Sequence, residues 1–250
     1  MWFFRAVALD LDGTLAVGDR VSEEILATID ETRSDRAVLL MTGRVRRDLD
    51  RVFPGLMAHF DAVVTENGAV LSTSKISRLL YEPVDIEVDK VLADRGVAAT
   101  RGEVLLAIDS RDGVVASQVI TDLGLDCQVV HNRGSAMILP AGVTKAAGLL
   151  AALEALGLSI HNTIAVGDAE NDLSLLRGVE LGAAVADAVP SVADHADLVL
   201  DHPNGAGVVA LLRGPLLRGH QRLCPQRRWV SIGWFEDASP VRLPGSQSSV

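Results

Sequence analysis

Residues 8–15 read Ala-Leu-Asp-Leu-Asp-Gly-Thr-Leu and place two carboxylates, Asp10 and Asp12, where an apolar run ends. Acids this close repel each other, and a bound cation is the usual remedy. A second acidic turn, Gly167-Asp168-Ala169-Glu170-Asn171-Asp172, follows another apolar run. Thr42-Gly43-Arg44 ends a third. A hydroxyl where a strand hands over to a helix lies among free backbone N–H groups that favour an anion. Lys145, at the start of an apolar helix pattern, adds a compact positive charge. Acids for a cation, with a hydroxyl and an ammonium for an anion, are the parts of a metal-assisted site. Taken singly, each has a plainer reading. Asp10 and Asp12 serve equally as turn-capping acids, residues 167–172 as an acidic helix start, and Lys145 as a solvated side chain.

The elements that must position these groups follow from periodicity. The run before Asp10 reads as a buried strand of a parallel sheet, and Gly13 lets the chain turn sharply out of it. Open parallel sheets bind ligands at the carboxyl ends of their strands, which is where the acid pair falls. Ser22 with Glu23 and Glu24 marks a helix to about residue 33. Strands are expected at 37–41 and 61–65, the second closed by Glu66-Asn67-Gly68-Ala69. From about residue 72 to 139 the rhythm changes. Helices are expected near 84–94 and 114–123, with strands at 103–108, 127–131 and 136–139, the last two flanking a turn at 132–134. This pattern reads as a small α+β module inserted into a larger fold. A βα rhythm then resumes: helix 145–156, strands 163–166, 181–185 and 198–200, a short helix near 191–195 and a last helix at 205–212.

Composition narrows the class. The 250 residues are 48% hydrophobic but only 4% aromatic, so the core is built from Val, Leu, Ala and Ile, as suits covered sheet faces. A net charge of −10 argues against general binding to nucleic acid or anionic membranes. Cys127 and Cys224 are the two cysteines and neither belongs to a metal-ligand cluster, so a reducing cytoplasm is the expected compartment. The apolar start is too short for a signal peptide and runs straight into Asp10. No stretch approaches the roughly 20 apolar residues of a membrane helix.

Asp10-x-Asp12-Gly-Thr14, Thr42-Gly-Arg44, Lys145 and Gly167-Asp168-x-x-Asn171-Asp172 occur in that order. The ordered set resembles the haloacid dehalogenase superfamily of aspartate-nucleophile phosphatases. Glu66-Asn67-Gly68-Ala69 and Pro140-x-Gly-Val-x-Lys145 point to its Cof-like branch, which includes sugar-phosphate phosphatases. The resemblance covers about residues 3–212. It implies an α/β fold, with a Rossmann-like parallel-sheet core (1–71 and 140–212) and a small inserted α+β cap (72–139) that closes over the site. It implies Asp10 as nucleophile, Asp12 as the acid and base, and Thr42 and Lys145 as phosphate-binding groups. Mg2+ would be held by Asp10, the backbone carbonyl of Asp12 and Asp168, with Asn171 and Asp172 as ligands or their supports. Arg44, Asn67 and Asn171 are expected to touch substrate, Arg44 and Asn67 with a structural role equally open. His131 and Arg133 in the cap hairpin, and His195 and His202, are read as ordinary surface residues.

The expected activity is hydrolysis of a small phosphorylated metabolite, such as a phosphosugar or phosphoglycolate. A phosphosugar mutase using the same intermediate, and a non-catalytic phospho-ligand-binding regulatory domain, stand as alternatives. Residues 213–250 differ in kind. Arg213, Arg218, Arg222, Arg227 and Arg228 occur with no acid among residues 213–228, and Trp229 and Trp234 flank a possible hairpin strand. This segment reads as the beginning of a further module, and the chain as a fragment of a longer protein.

Overall fold

The computed structural model describes residues 3–132 and 134–217. Arg133, Cys224, and the tail with its expected hairpin, from residue 218 onward, lie outside the described residues. The chain begins with strands β1 (Ala6–Asp10), β2 (Ala37–Met41), β3 (Ala62–Thr65), β4 (Val70–Thr73) and β5 (Ser77–Leu79). Helices α1 (Glu23–Arg33) and α2 (Arg46–Val52) separate the first three strands. Next come α3 (Ile86–Asp94), β6 (Ala99–Arg101), β7 (Leu106–Asp109), α4 (Gly113–Leu123), β8 (Cys127–Asn132) and β9 (Ser135–Pro140). The last group is α5 (Lys145–Leu156), β10 (Thr163–Gly167), α6 (Leu173–Arg177), β11 (Leu181–Ala184), α7 (Pro190–Ala193), β12 (Leu198–Val199) and α8 (Asn204–Arg213).

These strands form two sheets. The larger has the order β12-β11-β10-β1-β2-β3-β4-β5, parallel from β12 to β3 and antiparallel beyond. The smaller, β6-β7-β9-β8, is antiparallel throughout. The fold is therefore α/β, with a large, mostly parallel core sheet. The larger sheet runs on to Leu79, so the change of architecture expected at residue 72 comes later. Ser77-Arg78-Leu79 is an exposed edge strand, and without a buried face it lacks the alternation that marks a strand in sequence.

Side-chain alternation along β1 divides the main core in two. Val7 and Leu9 pack with Val38, Leu40, Ile164 and Val166 against Ile25 and Ile29 of α1 and Val208 and Leu211 of α8. Ala6 and Ala8 face the other way, with Leu39, Val64 and Ala165, toward Leu149 and Leu153 of α5 and Leu175 of α6. Burying each such Leu or Val contributes about 1.5–3 kcal/mol. The smaller sheet covers one face with α3 and α4 through Val88, Leu92, Val119 and Ile120 on Ile108 and Ile138. Its other face joins the core through Val104, Leu105, Met137 and Leu139 against Val45, Ala69 and Val70.

Thr144 starts α5 by accepting the Ala147 N–H at 3.1 Å, and Gly157 in the left-handed region (φ 65°) ends it. The helix lies so close to the turn after β3 that a Cβ on Gly148 would fall 2.6 Å from the Gly68 Cα. Gly148→Ala should therefore cost about 1–3 kcal/mol through overpacking. Urea unfolding reads this as a lower midpoint with unchanged slope; an unaltered midpoint would show that α5 is free to shift.

Candidate active site

Strand register brings the motif residues together. Leu9 lies opposite Val166 and Asp10 opposite Met41, so Asp10, Thr42 and Asp168 fall at the carboxyl ends of three adjacent parallel strands. The chain then bends away from β1 through Gly13 (φ 90°), with Gly13 N–H donating to the Ala16 carbonyl at 3.2 Å. That bend aims Thr14 across the site, where its hydroxyl donates to Asp168 Oδ1 at 3.0 Å.

Lys145 is the electrostatic centre. Its ammonium donates to Asp10 Oδ1 at 2.5 Å and to Asp172 Oδ1 at 2.6 Å, and its side chain is only 1% exposed. The other oxygen of Asp172 accepts the N–H groups of Asp168 and Ala169, each at 3.1 Å, so Asp172 holds both the lysine and the acidic turn in place. Burial by itself lowers the Lys145 pKa, but the charges of Asp10 and Asp172 reverse that and raise it. Asp10 moves up as well: burial, then the neighbouring Asp172 and Asp168, outweigh the help of Lys145. Asp10 and Asp172 share Lys145, and Asp168 lies beside them with its Oδ1 accepting from Thr14.

The grouping of these acids fits a metal. One carboxylate oxygen each from Asp10, Asp168 and Asp172 lie within 4.8 Å of one another. Hard oxygen donors in that number suit a hard divalent cation. Nearby, Asn171 Nδ2 donates to Asn67 Oδ1 at 3.3 Å, while Asn171 Oδ1 is buried without a hydrogen-bond partner. A buried acceptor left so is costly and is answered by a cation or a donor from a ligand. The Asp12 side chain stands apart from this group. Arg44 grips both its oxygens, Nε to Oδ2 at 2.9 Å and Nη2 to Oδ1 at 2.7 Å, and stacks over Phe53. Any ligation by Asp12 is thus left to its backbone carbonyl, and Arg44, expected at the substrate, rests on Asp12.

Thr42 is buried, and its Oγ1 accepts the Arg44 N–H at 3.1 Å, leaving the hydroxyl proton to give. His131 is exposed beside Ser110, and His195 and His202 are exposed as well. Sequence reasoning quoted Thr14 within its motif without a role, and gave Glu66 none. Thr14 stands directly after Gly13 and Glu66 opens the Glu66-Asn67-Gly68-Ala69 segment, but neither position shows in the sequence what its side chain binds.

The family model for haloacid dehalogenase-like hydrolases matches residues 7–93 and 114–212. The chain belongs to that family. It is 31% identical over 214 residues to a phosphoglycolate phosphatase 2 of Saccharolobus solfataricus, covering 82% of this chain and 90% of the relative. A phosphoglycolate phosphatase of Archaeoglobus fulgidus is 30% identical over 222 residues, 84% of this chain and 96% of that protein. The fold is shared with a haloacid dehalogenase-like hydrolase from Bacteroides thetaiotaomicron at TM-score 0.71 and 20% identity, covering 84% of this chain and 98% of the other.

Two stability measurements check the charge balance of this hydrolase. Magnesium should raise the melting temperature, since a ligand bound only by the folded state stabilises it, and Asp168→Asn should remove that rise. Without divalent cations, the raised Asp10 pKa means the folded state binds this proton more tightly than the unfolded chain. Stability is then lost as pH climbs from the ordinary value of 3.8 through the folded pKa. Asp10→Asn should therefore melt higher than the wild type at neutral pH in a chelator, with the gap closing toward acid. An equal or lower melting point would contradict the assignment.

Proposed function

We propose that this chain is a magnesium-dependent phosphatase that hydrolyses a small phosphorylated metabolite, a phosphoglycolate-like or phosphosugar monoester, through a phosphate ester on Asp10. The observation that carries this reading is the Lys145 ammonium, buried and bonded at 2.5 Å to an acid at the end of the central strand. An acid so held has one oxygen fixed and the other available for attack. The two relatives named as phosphoglycolate phosphatases support the choice of substrate.

In this mechanism Asp10 attacks phosphorus in line, forming an O–P bond as the bond to the leaving alcohol oxygen breaks. Asp12 gives that oxygen its proton, then takes one from the water that attacks the aspartyl-phosphate and releases inorganic phosphate. For either transfer Asp12 must turn from the Arg44 fork, so binding of substrate has to loosen that pair. Thr42 and Lys145 bind the equatorial oxygens, and each charge-assisted bond contributes about 1.5–3 kcal/mol. Asp10, Asp168 and the Asp12 carbonyl would hold Mg2+, with Asp172 and Asn171 in support, and the ion would supply charge to offset the phosphoryl oxygens.

The smaller sheet acts as the cap in this reading. Met137 of β9 reaches the phosphate side: a Cβ on Gly43 would meet its Sδ at 3.3 Å. With Val104, Leu105 and Leu139 it makes an apolar seam that keeps water from the reacting groups. The small cap suits a small leaving group. A cytoplasmic location is proposed on composition, with two cysteines in the chain.

A screen of phosphoglycolate, sugar phosphates and nucleotides, with and without magnesium, tests the proposal. Turnover should require magnesium and favour the smallest anionic monoesters. Asp12→Asn should lower kcat by about 10²–10⁴-fold, and Asp10→Asn should leave none. Near-wild-type phosphate release by Asp10→Asn would refute the assigned nucleophile, and isomerised phosphosugar in place of free phosphate would favour a mutase.

A further inference from the structure

Glu66 is fully buried, and the chemistry above makes no use of it. Its Oε1 accepts the Glu103 N–H at 2.7 Å, and its Oε2 accepts those of Val104 and Leu105 at 2.8 and 2.9 Å. These three residues lead directly into β7 of the smaller sheet. The approach is so close that a Cβ on Gly102 would lie 2.4 Å from Glu66 Oε1.

The backbone of the same turn reaches the opposite way. Glu66 and Asn67 adopt φ of 54° and 58°, the left-handed region that side chains other than glycine seldom occupy. Strain of this kind persists only where its surroundings enforce it. Here the Glu66 N–H donates to the Arg44 carbonyl and the Asn67 N–H to the Thr42 carbonyl, both at 3.0 Å. Asn67 Oδ1 accepts from Asn171. Gly68 presses on the start of α5, where a Cβ would fall 2.0 Å from the Thr144 carbonyl oxygen and 3.3 Å from Lys145 N. One three-residue turn thus contacts Thr42, Arg44, Asn171 and Lys145 through its core side and the smaller sheet through a single carboxylate.

We propose that Glu66 is a positioning residue that couples the seating of the smaller sheet over the site to the placement of Thr42 and Lys145. The apolar seam already joins the two sheets, but apolar contact has no preferred direction. Three charge-assisted bonds to consecutive backbone amides fix the angle at which residues 103–105 meet the core. A change in that angle is passed to the left-handed turn, and from there to the groups that bind phosphate. The inference rests on the phosphatase reading.

Two substitutions attack the contact from opposite sides. Glu66→Gln keeps the size but turns an acceptor oxygen into an NH2 that faces backbone donors. Gly102→Ala leaves the carboxylate intact and pushes it aside. Each should lower kcat about 10-fold, or about 1.4 kcal/mol, with KM changed less than about twofold, on whichever phosphoester the wild type hydrolyses with magnesium. Hydrogen exchange at the amides of 103–105 should quicken while that of β1 and β10 stays slow. The double variant should be no worse than the poorer single, because both break one contact.

Faster exchange with an unchanged kcat would reduce Glu66 to a tether and overturn the proposal, as would additive losses in the double variant. Circular dichroism checks folding; should Glu66→Gln fail to fold, Gly102→Ala decides by the same readouts. A wild-type protein that hydrolyses no phosphoester overturns the phosphatase reading itself, whereas an active wild type matched in kcat by Glu66→Gln overturns the coupling alone.

Discussion

Lys145 meets Asp10 and Asp172 at 2.5 and 2.6 Å in surroundings from which water is nearly excluded. Two unit charges 4 Å apart interact by about 1 kcal/mol in water and about 4 kcal/mol at the effective dielectric near a protein surface. The attraction here is accordingly strong, but so is the repulsion among Asp10, Asp168 and Asp172. The repulsion makes a place for a divalent cation on one side, while the attraction directs the lysine to the nucleophile on the other. Burial, with the repulsion from Asp172 and Asp168, raises Asp10 in the cation-free protein, so chemistry and stability pull in opposite directions at this one residue.

Holding such a cluster together demands a rigid frame. The central strands are buried on both faces, with Val7 and Leu9 packed one way and Ala6 and Ala8 the other. Their ends cannot drift apart without opening both layers. Small residues on the α5 side bring that helix close, which lets Lys145, as its first residue, reach the strand ends. The polar groups beyond the strands are then fixed by direct bonds: Thr14 to Asp168, Asp172 to the backbone of its own turn, and Arg44 to Asp12.

Much of this was legible in the sequence, because apolar runs that stop at Asp10, Met41 and Gly167 announce strand ends, and the acids and threonine follow at once. Ser22 marked its helix start for a reason local to the chain. What could not be read depends on contacts between distant segments. Thr14 and Asp168 are 154 positions apart, and Glu66 is 37 from the first amide it binds. Arg44 was recognised as a cation near the site, but only the folded chain shows that it lies over Phe53 and takes both oxygens of Asp12. The edge strand Ser77–Leu79 packs no face and the three-residue β6 is too short to leave a period, so neither shows in the sequence.

The most direct measurement of the central claim is a rapid acid quench during turnover, followed by peptide mass spectrometry. If Lys145 prepares Asp10 as the nucleophile, the mass of one phosphoryl group should be found on the peptide from the end of β1 and localise to Asp10. The same group on Asp12, on Asp168 or on no residue, while substrate is still being consumed, would contradict the account.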